Sequence, residues 1–355
     1  MPEVTVNIIK VFTAGIFSFF IAFFVSFPLN NFLYKKKLWK NKAKEKAIDG
    51  GNLKNFRKFH LEKETGTPRF GGVLVWGSVT IITFLFFGLS LFFDNYWIQK
   101  INFLSREQTW LPLFALISAS LVGAVDDLMQ TTSFLKIKNL KEGLSLRYRL
   151  LLVSFIGMIG ALWFYFQLGR DSVYVPLFGD FYIGFLFIPF FIIVTLATYS
   201  GGVIDGLDGL AGGVFASIFG AYATIALFQG QIDLATFCLA VIGGLFAFLW
   251  FNIPPARFYM GETGVIGLTV SLTVIAFLTN AVIVLPIIAI LLVATSGSVI
   301  IQLLSKKIRG KQVFLSAPIH HHFEAKGWPH YKVTMRYWII GVIFAIIGVA
   351  IHLLG

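Results

Sequence analysis

Ten apolar runs decide what this chain can fold into. They fall near residues 8–33, 70–93, 109–125, 150–168, 183–199, 213–228, 235–251, 265–280, 282–304 and 337–355. A helix needs about 20 mostly apolar residues to cross about 30 Å of hydrocarbon, and runs of this length meet that need. The expected fold class is therefore all-α: a polytopic membrane protein with about ten transmembrane helices. It reads as a single integral-membrane domain over residues 1–355, with no internal repeat and no room between spans for a soluble domain. Composition agrees, because only 13% of the 355 residues are charged, against about a quarter in soluble proteins. The first run is too long for a cleavable signal peptide and lacks its basic start and small-residue cleavage site. Cys238 is the lone cysteine and lies within a run, so no internal disulfide can form.

The net charge of +12 could suggest nucleic acid, but its distribution excludes that reading. Ten spans create five loops on one side, near 34–69, 126–149, 200–212, 252–264 and 305–336. These hold 25 of the 29 Lys and Arg residues, leaving Lys10, Lys100, Arg106 and Arg170 for the other side. The positive-inside rule then puts the five loops in the cytoplasm and both termini outside. Such a basic face attracts anionic lipids and phosphorylated substrates.

Every unusual polar stretch falls on that same side. ETGTPRFGG enters the second span, GAVDDLMQ closes the third and SGGVIDGLDGLAGG joins the fifth to the sixth. WFNIPPARFYMGETG joins the seventh to the eighth, and APIHHHFEAKGW lies between the ninth and tenth. Their convergence predicts one site assembled from several loops on the cytoplasmic face.

Asp126 and Asp127 are adjacent, so on a helix they point about 100° apart and take separate parts. Asp205 and Asp208 are three apart and share a face if their segment is helical. The glycines around them, including Gly206, allow backbone to approach a ligand closely, and a glycine-rich loop opening onto a helix suits phosphate. Glu262 adds a fifth carboxylate, while Asn252 and Tyr259 offer a hydrogen bond and a stacking face to a nucleotide base. Magnesium takes oxygen ligands, commonly one or two carboxylates beside substrate phosphates. Manganese also suits carboxylate and water ligands. The five carboxylates together are enough to bind a cation and orient a phosphoryl group, and the expected cofactor is Mg2+, with Mn2+ as an alternative.

Three consecutive histidines, His320, His321 and His322, cannot easily all face one zinc ion, and no cysteines complete a tetrahedral site. Anion recognition is the better reading, with Lys326, Lys332 and Arg336 nearby as further donors to phosphate or sugar.

In this order and over nearly the whole chain, these motifs resemble the phospho-N-acetylmuramoyl-pentapeptide transferase family. The acidic motifs alone fit the wider polyprenyl-phosphate sugar-1-phosphate transferases, and the triple histidine points to the muramoyl branch. The resemblance implies that undecaprenyl phosphate attacks the sugar-linked phosphorus of UDP-N-acetylmuramoyl-pentapeptide, releasing UMP and leaving a lipid-linked diphosphate sugar. It implies that Asp126 or Asp127 accepts the lipid phosphate's proton, and that Asp205 belongs to the catalytic loop. Gly206, Leu207 and Asp208 match the uridine loop, and Asn252, Tyr259 and Gln302 match nucleoside-pocket positions. Lys63 and Arg149 match substrate-binding bases, Glu262 the metal-binding aspartate, and His320, catalytic His321 and His322 the motif that contacts the donor. Expected partners are the UDP-linked donor, undecaprenyl phosphate and the lipid bilayer of a bacterial inner membrane, with a homodimer left open.

The chain departs from the family at several positions. Gln130 stands where a lysine is usual, Gly202 replaces an asparagine, Glu262 an aspartate and Arg149 a lysine. Glu64 and Thr65 replace lysines just before the GTP, and Arg69 is an extra base. Three other readings stand beside this resemblance: a transferase for another UDP-N-acetylhexosamine, a membrane transporter, or a catalytically silent scaffold. A transporter would place charges deep within its spans, whereas here the acids sit at span ends and in loops.

Overall fold

The computed structural model describes residues 3–39, 66–131 and 143–355, so Lys63 lies outside the described residues. Among these, ten helices are long and apolar enough to cross a membrane, as the run lengths require. The order begins with α1 (Glu3–Lys35), α2 (Gly72–Phe92), a short α3 (Tyr96–Ile101), α4 (Trp110–Thr131) and α5 (Leu146–Leu162). A two-stranded antiparallel hairpin follows, β1 (Ser172–Val175) with β2 (Gly179–Tyr182). Then come α6 (Phe187–Ser200), α7 (Leu210–Phe228), α8 (Ile232–Asn252), α9 (Gly261–Leu278) and a single turn α10 (Leu285–Ile288). The chain ends with α11 (Ile290–Arg309), a short α12 (Ile319–Ala325) and α13 (His330–Leu354).

Among the described residues the hairpin is the one departure from an all-helical fold. Its strands are four residues each and turn over Pro176–Phe178, with Leu177 at φ 70°. A segment this short carries too little alternation to be read as strand.

The helices are not equivalent. In the most apolar 18-residue stretch of α9, 94% of residues are buried, and in α8 83%. The corresponding shares are 22% for α1 and 28% for α13. Helices α8 and α9 are therefore the core, with α1, α2 and α7 against α8, and α2, α4 and α6 against α9. Apolar residues of α1 such as Phe12, Ile16, Phe20 and Phe24 face outward, which suits contact with lipid.

Association of helices in lipid depends on close packing more than on expulsion of water, so small residues mark the contacts. Gly123 on α4 is one such point, where an added Cβ would collide with the backbone of Glu262 and Thr263. This close approach brings the end of α4, with its aspartates, against the start of α9, with Glu262.

Candidate active site

Asp126 and Asp127, both fully buried, belong to the last turns of α4. They have different partners, as their 100° separation demands. Asp126 accepts hydrogen bonds from the Leu144 N–H at 2.5 Å and from Gln130 Nε2 at 2.8 Å, with Arg149 Nη1 at 3.6 Å. Asp127 accepts from Arg69 Nε at 3.0 Å and from the Thr263 N–H at 2.9 Å. Gly261 has φ +72°, and an added Cβ there would meet the Asp127 carboxylate. Only glycine leaves room for this turn beside that acid.

Arg149, near the start of α5, also holds Glu262 at 2.8 Å. Two departures from the family thus meet each other, a longer acid facing a longer base. The buried Arg149 Nε has no hydrogen-bond partner among the described residues. Gly202 lies against the Val265 side chain, so the space beside it is already filled. Gln130 braces Asp126 from one turn along α4.

The stretch between α6 and α7 is a loop and not a helix. A 3-10 turn ends at Ile204, and Gly209, at φ +77°, precedes α7. Asp205 and Asp208 consequently diverge: Asp205 accepts from the Gly261 N–H at 3.1 Å, and Asp208 from the Ala256 N–H at 3.3 Å. Burial pushes the Asp205 carboxyl up to about 6, against the lowering influence of Arg69 and the Gly261 N–H. The loop is clamped by Asn252, which accepts from the Gly209 N–H at 2.9 Å and donates to the Phe258 carbonyl at 2.8 Å. From the other side Thr334 donates to the Asp208 carbonyl and Trp338 to that of Gly209, each at 3.1 Å.

The histidines split. A Cβ on Gly206 would meet His321 Nε2 at 3.0 Å and His320 Nε2 closer still, so these two rings lie against the Asp205–Asp208 loop. His322 turns away: its Nδ1 accepts from the Leu315 N–H at 3.1 Å, and its ring packs on Phe314. Burial, with Lys326 nearby, lowers its pKa from the ordinary histidine value. Expected together as donor contacts, the three rings serve two surfaces, because at about 100° per residue three successive helical side chains cannot all share one.

Several other expectations shift with the geometry. Lys332 and Arg336 are exposed and lie over the Trp328 ring at 5.4 and 4.2 Å, as cation–π partners. Asn252 and Gln302 are buried with their amides engaged. Gln302 accepts from the N–H groups of Val313 and Phe314 and donates to the Phe314 carbonyl, so both shape loops. Tyr259 is partly buried, and its backbone pairs with Pro68 and Gly71. Leu207 is buried beneath the loop. Sequence reasoning did not single out Glu324, which is buried and pairs with His321 and His330. Its spacing of three from His321 was the available signal.

Asp127, Glu262, Arg69 and Arg149 therefore form alternating charges at one end of the bundle, joined through Asp205 and Gly206 to two imidazoles. Among the described residues no three acid, histidine or cysteine side chains converge as a ready metal cage. An all-oxygen set of one or two carboxylates still fits a cation that takes its remaining ligands from substrate phosphates.

The glycosyl transferase family 4 pattern matches residues 109–281, which span α4 to the end of α9 and carry all five carboxylates. Over 312 residues the chain is 37% identical to the phospho-N-acetylmuramoyl-pentapeptide-transferase of Pelagibacter ubique, covering 82% of this chain and 81% of that one. A protein of the same name from Dinoroseobacter shibae is 35% identical over 360 residues, with 96% and 91% covered. A third, from a Geobacillus species, is 36% identical over 298 residues, with 82% and 85% covered. With this identity over most of both lengths, the chain belongs to the phospho-N-acetylmuramoyl-pentapeptide-transferase family.

Proposed function

We propose that the protein transfers phospho-N-acetylmuramoyl-pentapeptide from its UDP-linked donor to undecaprenyl phosphate, giving a lipid-linked diphosphate sugar and UMP. The observation that carries this reading is the joined cluster of Asp126, Asp127, Asp205, Glu262, Arg69 and Arg149 at one end of a membrane bundle. An oxygen of the lipid phosphate attacks the sugar-linked phosphorus; the new P–O bond forms as the anhydride bond to UMP breaks. Two anions must meet in this step, so fixed positive charge lowers their repulsion and stabilises the transition state. Arg69 and Arg149 supply that charge, and Asp126 or Asp127 accepts any proton on the attacking phosphate. His320 and His321, beside Gly206, meet the donor. Magnesium, held by Glu262 and the donor's phosphates, would add Lewis-acid stabilisation.

The division of basic residues supports a site facing the cytoplasm of a bacterial inner membrane, with both termini outside. The test is incubation of the purified protein with undecaprenyl phosphate and a panel of UDP-sugars, following UMP and lipid-linked product. Product from the muramoyl-pentapeptide donor alone is expected. Product from another UDP-N-acetylhexosamine in its place would reassign the donor, and none from any would leave a silent scaffold.

A further inference from the structure

We propose that Glu324 is a positioning residue for His321, gripping its Nδ1 so that Nε2 faces the Gly206 turn. The proposal rests on the reading that the histidine loop meets the donor. Glu324 is 5% exposed and His321 7%. One turn apart on α12, they meet with Nδ1 and Oε2 at 2.5 Å. The second carboxylate oxygen, Oε1, pairs with Nδ1 of His330, the first residue of α13. A carboxylate accepts hydrogen bonds, so the proton of the His321 ring sits on Nδ1. That choice fixes what the opposite nitrogen can do. For His321 the opposite nitrogen is Nε2, the atom beside Gly206.

Both ends of this arrangement are anchored. The Ile319 N–H donates to Ser298 Oγ at 2.9 Å, tying α12 to α11. Phe323 stacks on Trp328 with ring centroids 4.9 Å apart, and Arg336 covers the other ring at 4.2 Å. Helix α12 therefore cannot rotate freely, and the carboxylate sets the remaining freedom, that of the imidazole ring. A purely structural role is the competing account, in which Glu324 latches α12 to α13 through His330 and the His321 contact is incidental.

A double-mutant cycle separates the two, because only a residue acting through His321 loses its effect when His321 is gone. Full-length wild type, Glu324→Gln, His321→Ala and the double variant would be compared for kcat and KM with UDP-N-acetylmuramoyl-pentapeptide. The ring-nitrogen NMR signals of His321 would be recorded alongside. Glu324→Gln is expected to lower kcat/KM by about 10- to 100-fold, the range seen when a carboxylate that orients a metal-bound histidine is removed. In the His321→Ala background it should add less than about 2-fold. Equal losses in both backgrounds would overturn the proposal in favour of the latch.

Should Glu324→Gln fail to fold, His330→Ala removes the second grip and leaves the carboxylate in place. Its loss in kcat/KM should be smaller and should again vanish without His321; a loss that persists would overturn the proposal. A wild type inactive with every donor would refute the functional reading, and the ring spectrum would then decide alone. A proton on Nδ1 of His321 supports the positioning role, and a proton on Nε2 with bare Nδ1 contradicts it.

Discussion

The two ends of the helix bundle handle polar groups in opposite ways. At the hairpin end they tie helices together. Lys10 of α1 pairs with Asp233 of α8 at 2.5 Å, Gln229 donates to the Thr279 carbonyl at 2.8 Å, and the Tyr222 hydroxyl donates to the Ala281 carbonyl at 3.1 Å. At the other end, Asp126 and Asp127 are fully buried, and Arg69 and Arg149 contact them from neighbouring segments. Buried charges weaken a fold unless they are well paired, and even then apolar replacements are often as stable. A chain of this composition could close both ends as it closes the first. That it concentrates buried charge at one end supports placing the proposed chemistry there.

Labelling breaks or keeps this contrast outright. A cysteine placed at Leu315 should react only from the cytoplasmic side, and cysteines at Ile98, Ser172 or Ile232 only from outside. Positions 42 and 138, also expected inside, lie outside the described residues. Reaction of the Leu315→Cys protein from outside would turn the acid end away from its substrates.

Cation dependence is the next largest effect. A chelator should abolish turnover, and manganese should restore it at least as well as magnesium, since the longer Glu262 relaxes the geometry magnesium demands. Glu262→Gln should lose most activity while Glu262→Asp keeps a substantial part. Cation titrations of the three proteins decide the point: full turnover in chelator or an unimpaired Gln variant removes Glu262 as the ligand.

Asp205→Asn sharpens the contrast by separating function from stability. Turnover should fall at least about 100-fold, as for other positioned acid–base or electrostatic groups. Stability should move the other way. With a folded pKa of about 6 against the ordinary 3.8, the folded protein holds a proton that the unfolded chain releases. Stability therefore falls as pH rises through that window and stays lower above it. At about pH 7.5 the Asn variant should melt no lower than wild type. A clear drop in melting temperature would show that Asp205 supports the fold.

The smallest effect belongs to the hairpin end. Gln229→Ala should cost about 1 kcal/mol, the usual net worth of a hydrogen bond, and leave turnover within about 2-fold. Denaturation and turnover measured on one preparation would expose any catalytic role for that end.

Much of this was legible in the sequence. The ten spans follow from run length alone, and the motifs that resembled a family fall where the helix ends converge. Other features depend on tertiary neighbours. No local pattern shows that Asn252 and Gln302 spend their amides on loop backbone, or that Lys332 and Arg336 lie over the Trp328 ring. Helical phase does explain why the three rings cannot share one surface, but only the position of the Gly206 turn says which two face the Asp205–Asp208 loop.

The most direct test sets one acid from each end side by side. UMP release and lipid-linked product would be measured for wild type, Asp127→Asn and Asp233→Asn with the muramoyl-pentapeptide donor and undecaprenyl phosphate. The account predicts a loss of at least about 100-fold for Asp127→Asn and near-normal turnover for Asp233→Asn, with both proteins folded. Near-normal turnover in Asp127→Asn, or an equal loss in Asp233→Asn, would contradict it.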